Sequence, residues 1–140
     1  MISIRLVVDT NIIVSSALNP FGLERMVVRL AMTKPVKWFV SSAILAEYAA
    51  VLKRPELDIR KGLRQQFLQA LKSHTRRITP SQLPFVTVDP TDTIFIECAD
   101  AARADYLVTG NTRDFPRFWK MTKIITSREF LTVVAPHLIP

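Results

Sequence analysis

With only three glycines among 140 residues, and no stretch rich in glycine and serine, the sequence contains nothing that reads as a flexible linker. No internal repeat of solenoid period is present. The lone cysteine, Cys98, cannot close an internal disulfide, which fits a reducing compartment and an expected cytoplasmic location. No run approaches the roughly 18 to 20 apolar residues that cross a bilayer, so no membrane association is expected. The opening MISIRLVVD lacks the basic head and cleavage site of a signal peptide, and Asp9 interrupts its apolar run. The two histidines, His74 and His137, are isolated, which argues against histidine catalysis. Acid is missing from one long stretch. Between Asp58 and Asp89 no carboxylate occurs, while Arg60, Lys61, Arg64, Lys72, Arg76 and Arg77 do, and this stretch carries nearly all of the net charge of +7. A basic surface of this kind attracts polyanions, nucleic acid first among them. Solubility, or docking of an acidic protein, accounts for the same charge equally well.

What is present is a chain that is 49% hydrophobic and sized for one domain over 1–140, long enough to bury roughly two-thirds of its unfolded surface. Ile2 to Val8 is β-branched and apolar without a solvated face, as in a strand covered on both sides. After Asp9-Thr10-Asn11 the spacing predicts a short helical turn over Ile12 to Leu18 and a helix through Leu23, Met26, Val27, Leu30 and Ala31. Trp38-Phe39-Val40 reads as a second strand. Ser41 or Ser42 can cap the helix that carries Ile44, Leu45, Tyr48, Val51 and Leu52. Leu63, Phe67, Ala70 and Leu71 mark a basic amphipathic helix, and Phe85 to Val88 a strand or extended connection. Asp92 is expected to cap a helix with Ile94, Phe95, Cys98 and Ala102 inward and Glu97, Asp100 and Arg103 toward solvent. Tyr106 to Thr109 and Lys123 to Ile125 read as strands, with Ser127 capping a last helix through Val134. Strands alternating with helices require crossovers, hence a mostly parallel sheet covered on both faces.

Such sheets place functional groups at the carboxyl ends of their strands. Asp9 ends the first strand, and Glu47 lies in the helix after the second, at the edge of its buried stripe. Asp92 opens the helix that leads to the strand Tyr106 to Thr109, and Asn111 and Asp114 follow that strand. Carboxylates gathered on one rim repel each other and persist ionised only with a cation. Oxygen ligands without Cys or His favour Mg²⁺ or Mn²⁺ over Zn²⁺. On a basic chain such a site points to phosphodiester hydrolysis. Each residue also has a plainer role: Asp9 and Asp92 as helix caps, Glu47 as a partner of Lys53 or Arg54, Asn111 as turn chemistry. The convergence, rather than any single residue, carries the reading.

Taken together, the motifs resemble those of the PIN-domain family. Val7-Val8-Asp9-Thr10-Asn11-Ile12 is similar to the family's opening strand closing on Asp-Thr-Asn. Ser41 to Tyr48 matches the run that carries its second acid, at Glu47, and Asp89-Pro90-Thr91-Asp92 the segment of its third. Tyr106 to Pro116 resembles its late "L-V-T-x-D-x-D-F" element. The resemblance spans nearly the whole chain in order. It is closest to VapC-like toxins of toxin–antitoxin systems, in a subgroup ending T-G-N-x-x-x-F-P, here Thr109 to Pro116. It implies a three-layer α/β/α sandwich around a mostly parallel sheet of about five strands. It also implies a Mg²⁺- or Mn²⁺-dependent endoribonuclease specific for single strands, held in check by an antitoxin protein and often paired as a homodimer. Asp9, Glu47 and Asp92 would hold the metal, Asn11 and Thr109 would orient ligands or water, and Asn111 and Asp114 would supplement the catalytic set. Arg113, Arg117 and Lys120 beyond the rim, with Arg60, Lys61 and Arg64 of the basic helix, would contact RNA. One departure stands out: Asn111 occupies the place of a fourth acid. The main rival is a non-catalytic RNA- or partner-binding module with a weakened metal site. A receiver domain would want an acidic pair at the first strand end, and a haloacid-dehalogenase phosphatase an Asp-x-Asp that Asn11 breaks.

Overall fold

The computed structural model describes residues 3–83 and 89–139. Among them β1 (Ile4–Val8) runs into α1 (Thr10–Leu18), followed by α2 (Leu23–Ala31) and β2 (Val36–Val40). Then come α3 (Ser42–Leu52), α4 (Lys61–His74), β3 (Thr75–Arg77), α5 (Pro90–Ala102) and β4 (Tyr106–Val108). The chain finishes with β5 (Phe118–Trp119), β6 (Thr122–Ile125) and α6 (Ser127–Val134). Single 3₁₀ turns occupy Pro55–Leu57, Thr112–Asp114 and Pro136–Leu138. No helix among the described residues is long and apolar enough to cross a membrane.

The strands form one sheet in the order β3-β2-β1-β4-β6-β5, parallel except for the β5–β6 pair. The expected α/β architecture stands, with six strands where about five were expected. The two strands missed in the sequence are β3 and β5, three and two residues long. Both are sheet edges, too short to show an alternation, and Arg76 and Arg77 keep the β3 edge charged and exposed. The segment Phe85 to Val88, expected to be extended, lies outside the described residues.

Burial explains the central order. Leu6, Val7 and Val8 of β1 and Leu107 and Val108 of β4 have no accessible surface, because helices cover both sheet faces. α5 packs on β1, β2 and β4, and α2 and α6 pack against the sheet through β2 and β4. Tyr106 meets Phe130 of α6 edge to face, with ring centroids 5.8 Å apart. α3 and α4 pair with each other, and α3 also packs against α1 and α5.

Two capping expectations change, and one of exposure. Asp89, not Asp92, is the N-cap of α5: its Oδ1 accepts hydrogen bonds from the Thr91 amide (2.9 Å) and hydroxyl (2.8 Å), with Pro90 at the first helical position. Asp92 is thereby freed to face elsewhere. Thr126, not Ser127, caps α6 in a reciprocal arrangement with Glu129, each side chain accepting the other's amide at 3.1 Å. Asp100, expected in solvent, is largely buried and held by Lys120 Nζ at 2.8 Å and the Trp119 indole N–H at 2.9 Å. These contacts, together with a hydrogen bond involving Ser81, keep its carboxyl down at about 2. Glu97 likewise accepts the Leu83 amide at 3.1 Å.

Candidate active site

The parallel ladder continues past the strand ends: the Asp9 amide donates to Val108 O and the Thr109 amide to Ile125 O, each at 2.9 Å. Asp9 and Thr109 therefore stand side by side on the carboxyl rim. Asp9 is 5% exposed and both its oxygens are engaged, Oδ1 by the Thr10 amide and Oδ2 by the Thr109 hydroxyl, each at 2.7 Å. It is the N-cap of α1 and a candidate ligand at once. The Thr10 hydroxyl donates to Glu47. Asn11 ties the rim together, its Oδ1 accepting the Gly110 amide (3.0 Å) and its Nδ2 approaching Thr109 Oγ1 (3.5 Å), while the Asn111 amide donates to the same hydroxyl at 3.0 Å. Asn11 and Thr109, expected to orient ligands or water, thus belong to one hydrogen-bonded rim with Asp9.

Glu47 reaches this rim because of its neighbour. The fully buried Tyr48 hydroxyl donates to Val8 O, the last carbonyl of β1, and its ring lies 6.4 Å from that of Trp38. That docking aligns α3 so that the preceding side chain faces the groove. Read from the sequence, Tyr48 was only a member of an apolar stripe; a tyrosine in a core stripe signals that its hydroxyl needs a partner there. The pairing of Glu47 with Lys53 or Arg54, open in the sequence, is absent among the described ion pairs, although Arg54 lines the same groove.

The groove encloses about 620 Å³ and brings together Asp9, Glu47, Asp92, Asn11 and Asn111, with Thr91 and Arg54 as further polar walls. Asp114, on the turn Thr112–Asp114, is exposed yet close enough that its charge acts on both Asp9 and Asp92. Burial raises the Asp9 carboxyl above its ordinary value; hydrogen bonds from Thr109 and Thr10 oppose the shift, and the charges of Glu47 and Asp114 add to it. Asp92 is pushed up to about 6, first by burial and then by Asp9, Asp89, Asp114 and Glu47. No Lys or Arg forms an ion pair with any of Asp9, Glu47, Asp92 or Asp114 among the described residues. Nor do three acids, histidines or cysteines there already stand as a metal-holding group. The acids ring the groove instead of closing on a point. An all-oxygen, uncompensated donor set of this kind suits a hard divalent cation.

A PIN domain family model matches residues 5–113. The chain belongs to the PIN domain family. A relative from Methanocaldococcus jannaschii, an uncharacterized protein, is 28% identical over 142 aligned positions, covering 93% of this chain and 91% of the relative. Among solved structures, this PIN domain resembles a chain of VapBC2 from Rickettsia felis, bound to a DNA fragment from their promoter. The TM-score is 0.61 at 20% identity, over 88% of this chain and 98% of that one.

The cations expected to meet RNA are not all near this PIN groove. Arg113 is exposed beside Asp114 on the rim. Lys120 is not on the rim: it sits in the β5–β6 turn, beside Thr122 at the start of β6 and so at the opposite edge of the sheet, tied to Asp100. Arg117 lies between, over the β6–α6 side with Phe118 and Val133. Arg60 and Lys61 are exposed at the start of α4, a few residues from groove-lining Leu57. Arg64 is half-buried in an apolar pocket with Leu52 and Phe67.

Proposed function

We propose that this PIN domain is a Mg²⁺- or Mn²⁺-dependent endoribonuclease acting on single-stranded RNA, and that it serves as the toxin of a toxin–antitoxin pair. The observation that carries the reading is the groove itself: Asp9, Glu47 and Asp92, with Asp114 at its edge, share one cleft, and none of them forms an ion pair among the described residues although Arg54 lines the same wall. Asp9, Glu47 and Asp92 would hold the cation. When bound, it lowers the cost of ionising a water and neutralises charge gathering on the phosphate.

The chain's own residues do the rest. Thr109 and the Thr10 amide hold Asp9 from both sides, and the Thr10 hydroxyl holds Glu47, so both acids are oriented before any ligand arrives. Asn11 fixes Thr109 and the following loop in turn. The breadth of the groove suits a strand whose sugar-phosphate chain lies exposed, and Arg113 on the rim, with Arg60 and Lys61 on α4, offers cations to its phosphates. Likeness to a VapBC2 chain supports an antitoxin as partner; a second copy of the chain as another partner and a cytoplasmic setting are part of the same proposal.

Cleavage of end-labelled single-stranded RNA in Mn²⁺, abolished by chelator, tests the proposal. Asp9→Asn should lower the rate by more than about a hundredfold, beyond the loss usual when only a ligand's outer partner is removed. The metal-free melting temperature should stay level or rise, because a neutral side chain suits that buried, repulsive position. A parent chain that leaves RNA intact in both metals, or a variant that cuts as fast as the parent, sinks the assignment. The rival, a binding module without catalysis, draws on the exposed Asn111 where an acid was expected, and the same assay decides against one of the two.

A further inference from the structure

On the far side of Asn11 and Asn111 from the acids lies a second cavity of about 410 Å³, at the N-terminus of α6. The two asparagines line both, so the spaces adjoin. Its chemistry is opposite in sign. In the capping box Thr126 and Glu129 satisfy one another, which leaves the first-turn amides of Ser127 and Arg128 without an intrahelical acceptor, at the positive end of the helix. Ser127 lines the cavity at 6% exposure, and its hydroxyl is one of two buried side-chain polar atoms without a partner among the described residues. A hydroxyl in that state costs stability unless a ligand meets it. Arg128 lines the same cavity, exposed and without an ion pair among the described residues, while Glu24 of α2 stands on the wall and disfavours anions that are not held by Arg128.

We propose that this cavity is a phosphate subsite: it takes a backbone phosphate of the RNA strand neighbouring the one in the acidic groove, through the α6 amides, the Ser127 hydroxyl and the Arg128 guanidinium. The inference rests on the nuclease reading for the strand's path, but the contact is a binding contact and is measured as one. Two charge-assisted donors and a helix N-terminus are what phosphate oxygens require. The acids repel the strand where no cation intervenes, so a site of opposite sign next to them sets which phosphate lies over them.

The test uses the full chain carrying Asp9→Asn, in Ca²⁺, with a fluorescent single-stranded oligoribonucleotide. Arg128→Gln should weaken binding about tenfold and reduce the slope of log affinity against log salt by about 0.7, one single-strand phosphate contact. Ser127→Ala should weaken binding several-fold while its melting temperature holds or rises, a split that a merely structural serine would not produce. Inorganic phosphate should not compete at millimolar concentration if the site reads a phosphate within a strand; competition there would assign it to a free anion and overturn the strand subsite. Unchanged affinity and slope in both variants, or a chain that binds no RNA, overturns it as well. Cleavage by the parent chain is scored separately: if binding behaves as stated and the parent never cuts, the subsite stands and the nuclease reading falls.

Discussion

Asn111 is where a single side chain decides most. Its amide group is exposed on the wall shared by the acidic groove and the α6 cavity, and its backbone is pinned to Thr109. A neutral side chain there lowers repulsion in the metal-free groove and lowers attraction for a divalent ion by the same cause. Asn111→Asp should therefore tighten Mn²⁺ binding by up to about tenfold, since one added charge at the protein surface is worth roughly 1 kcal/mol or somewhat more. Asp114→Asn should weaken it, because the Asp114 charge reaches both Asp9 and Asp92. The double variant should return near the parent. Calorimetric titration of Mn²⁺ into the four proteins gives the answer, and one affinity shared by all four would reduce this loop to a turn. The acids themselves were legible in the sequence, because Asp9, Glu47, Asp92 and Asp114 all follow or flank the carboxyl ends of strands. Which of them was a cap was not: Asp89 and Asp92 both precede the same apolar run, and only the geometry of Pro90 at the first helical position separates them.

At the scale of elements, α3 is held by one buried hydrogen bond. Tyr48→Phe leaves the ring in place but strips Val8 O of its donor, a loss of about 1 to 3 kcal/mol in chemical denaturation. It should also cut RNA cleavage, since Glu47 depends on the pitch of the same helix. Full activity at reduced stability would show that the Thr10 hydroxyl alone places Glu47. The start of α4 gives a second expectation. Arg60 and Lys61 are exposed and Arg64 is packed beside Phe67, so changing all three to Gln should lower the salt slope for single-stranded RNA by about 1.4, two contacts and not three. Arg64→Gln alone should leave the slope as it was. This difference was invisible to periodicity, which placed all three on one basic helix and cannot tell a guanidinium in water from one half-buried in a pocket.

Across the whole molecule, three carboxyls pull stability in opposite directions with pH, two one way and one the other. Asp92 titrates near 6 when folded against an ordinary 3.8. Between those values the folded chain binds more protons than the unfolded one, so metal-free stability is full below about 4 and declines as pH rises through 6. Asp9, also raised, acts in the same sense. Asp100, held at about 2 beside Lys120, works the other way: its contribution is present above about 4 and is lost as pH falls toward 2. Melting curves without metal should therefore peak near pH 4, and Mn²⁺ should raise the neutral side more than the acid side because the ionised groove binds it. A metal-free optimum at pH 7 would contradict the uncompensated groove. Asp92→Asn should flatten the decline above pH 4, and Lys120→Gln the loss below it.

The sequence by itself determined the parts whose cause is local or periodic. Runs of apolar residues long enough to be covered on both sides marked β1, β2, β4 and β6, helical spacing marked the α elements, and the requirement for crossovers between them imposed a parallel sheet with its polar rim at the carboxyl ends. Only the tertiary structure decided the rest, because those features arise between residues that no local pattern links. The two-residue β5 exists only by pairing with β6. Lys120, near the rim in sequence, is carried to the opposite edge by that hairpin. The Thr109 hydroxyl finds Asp9, and the Tyr48 hydroxyl the end of β1, only once neighbouring elements are packed. Charge behaves likewise: Asp9 and Asp92 acquire their raised titration from burial and from neighbouring acids that packing brings together.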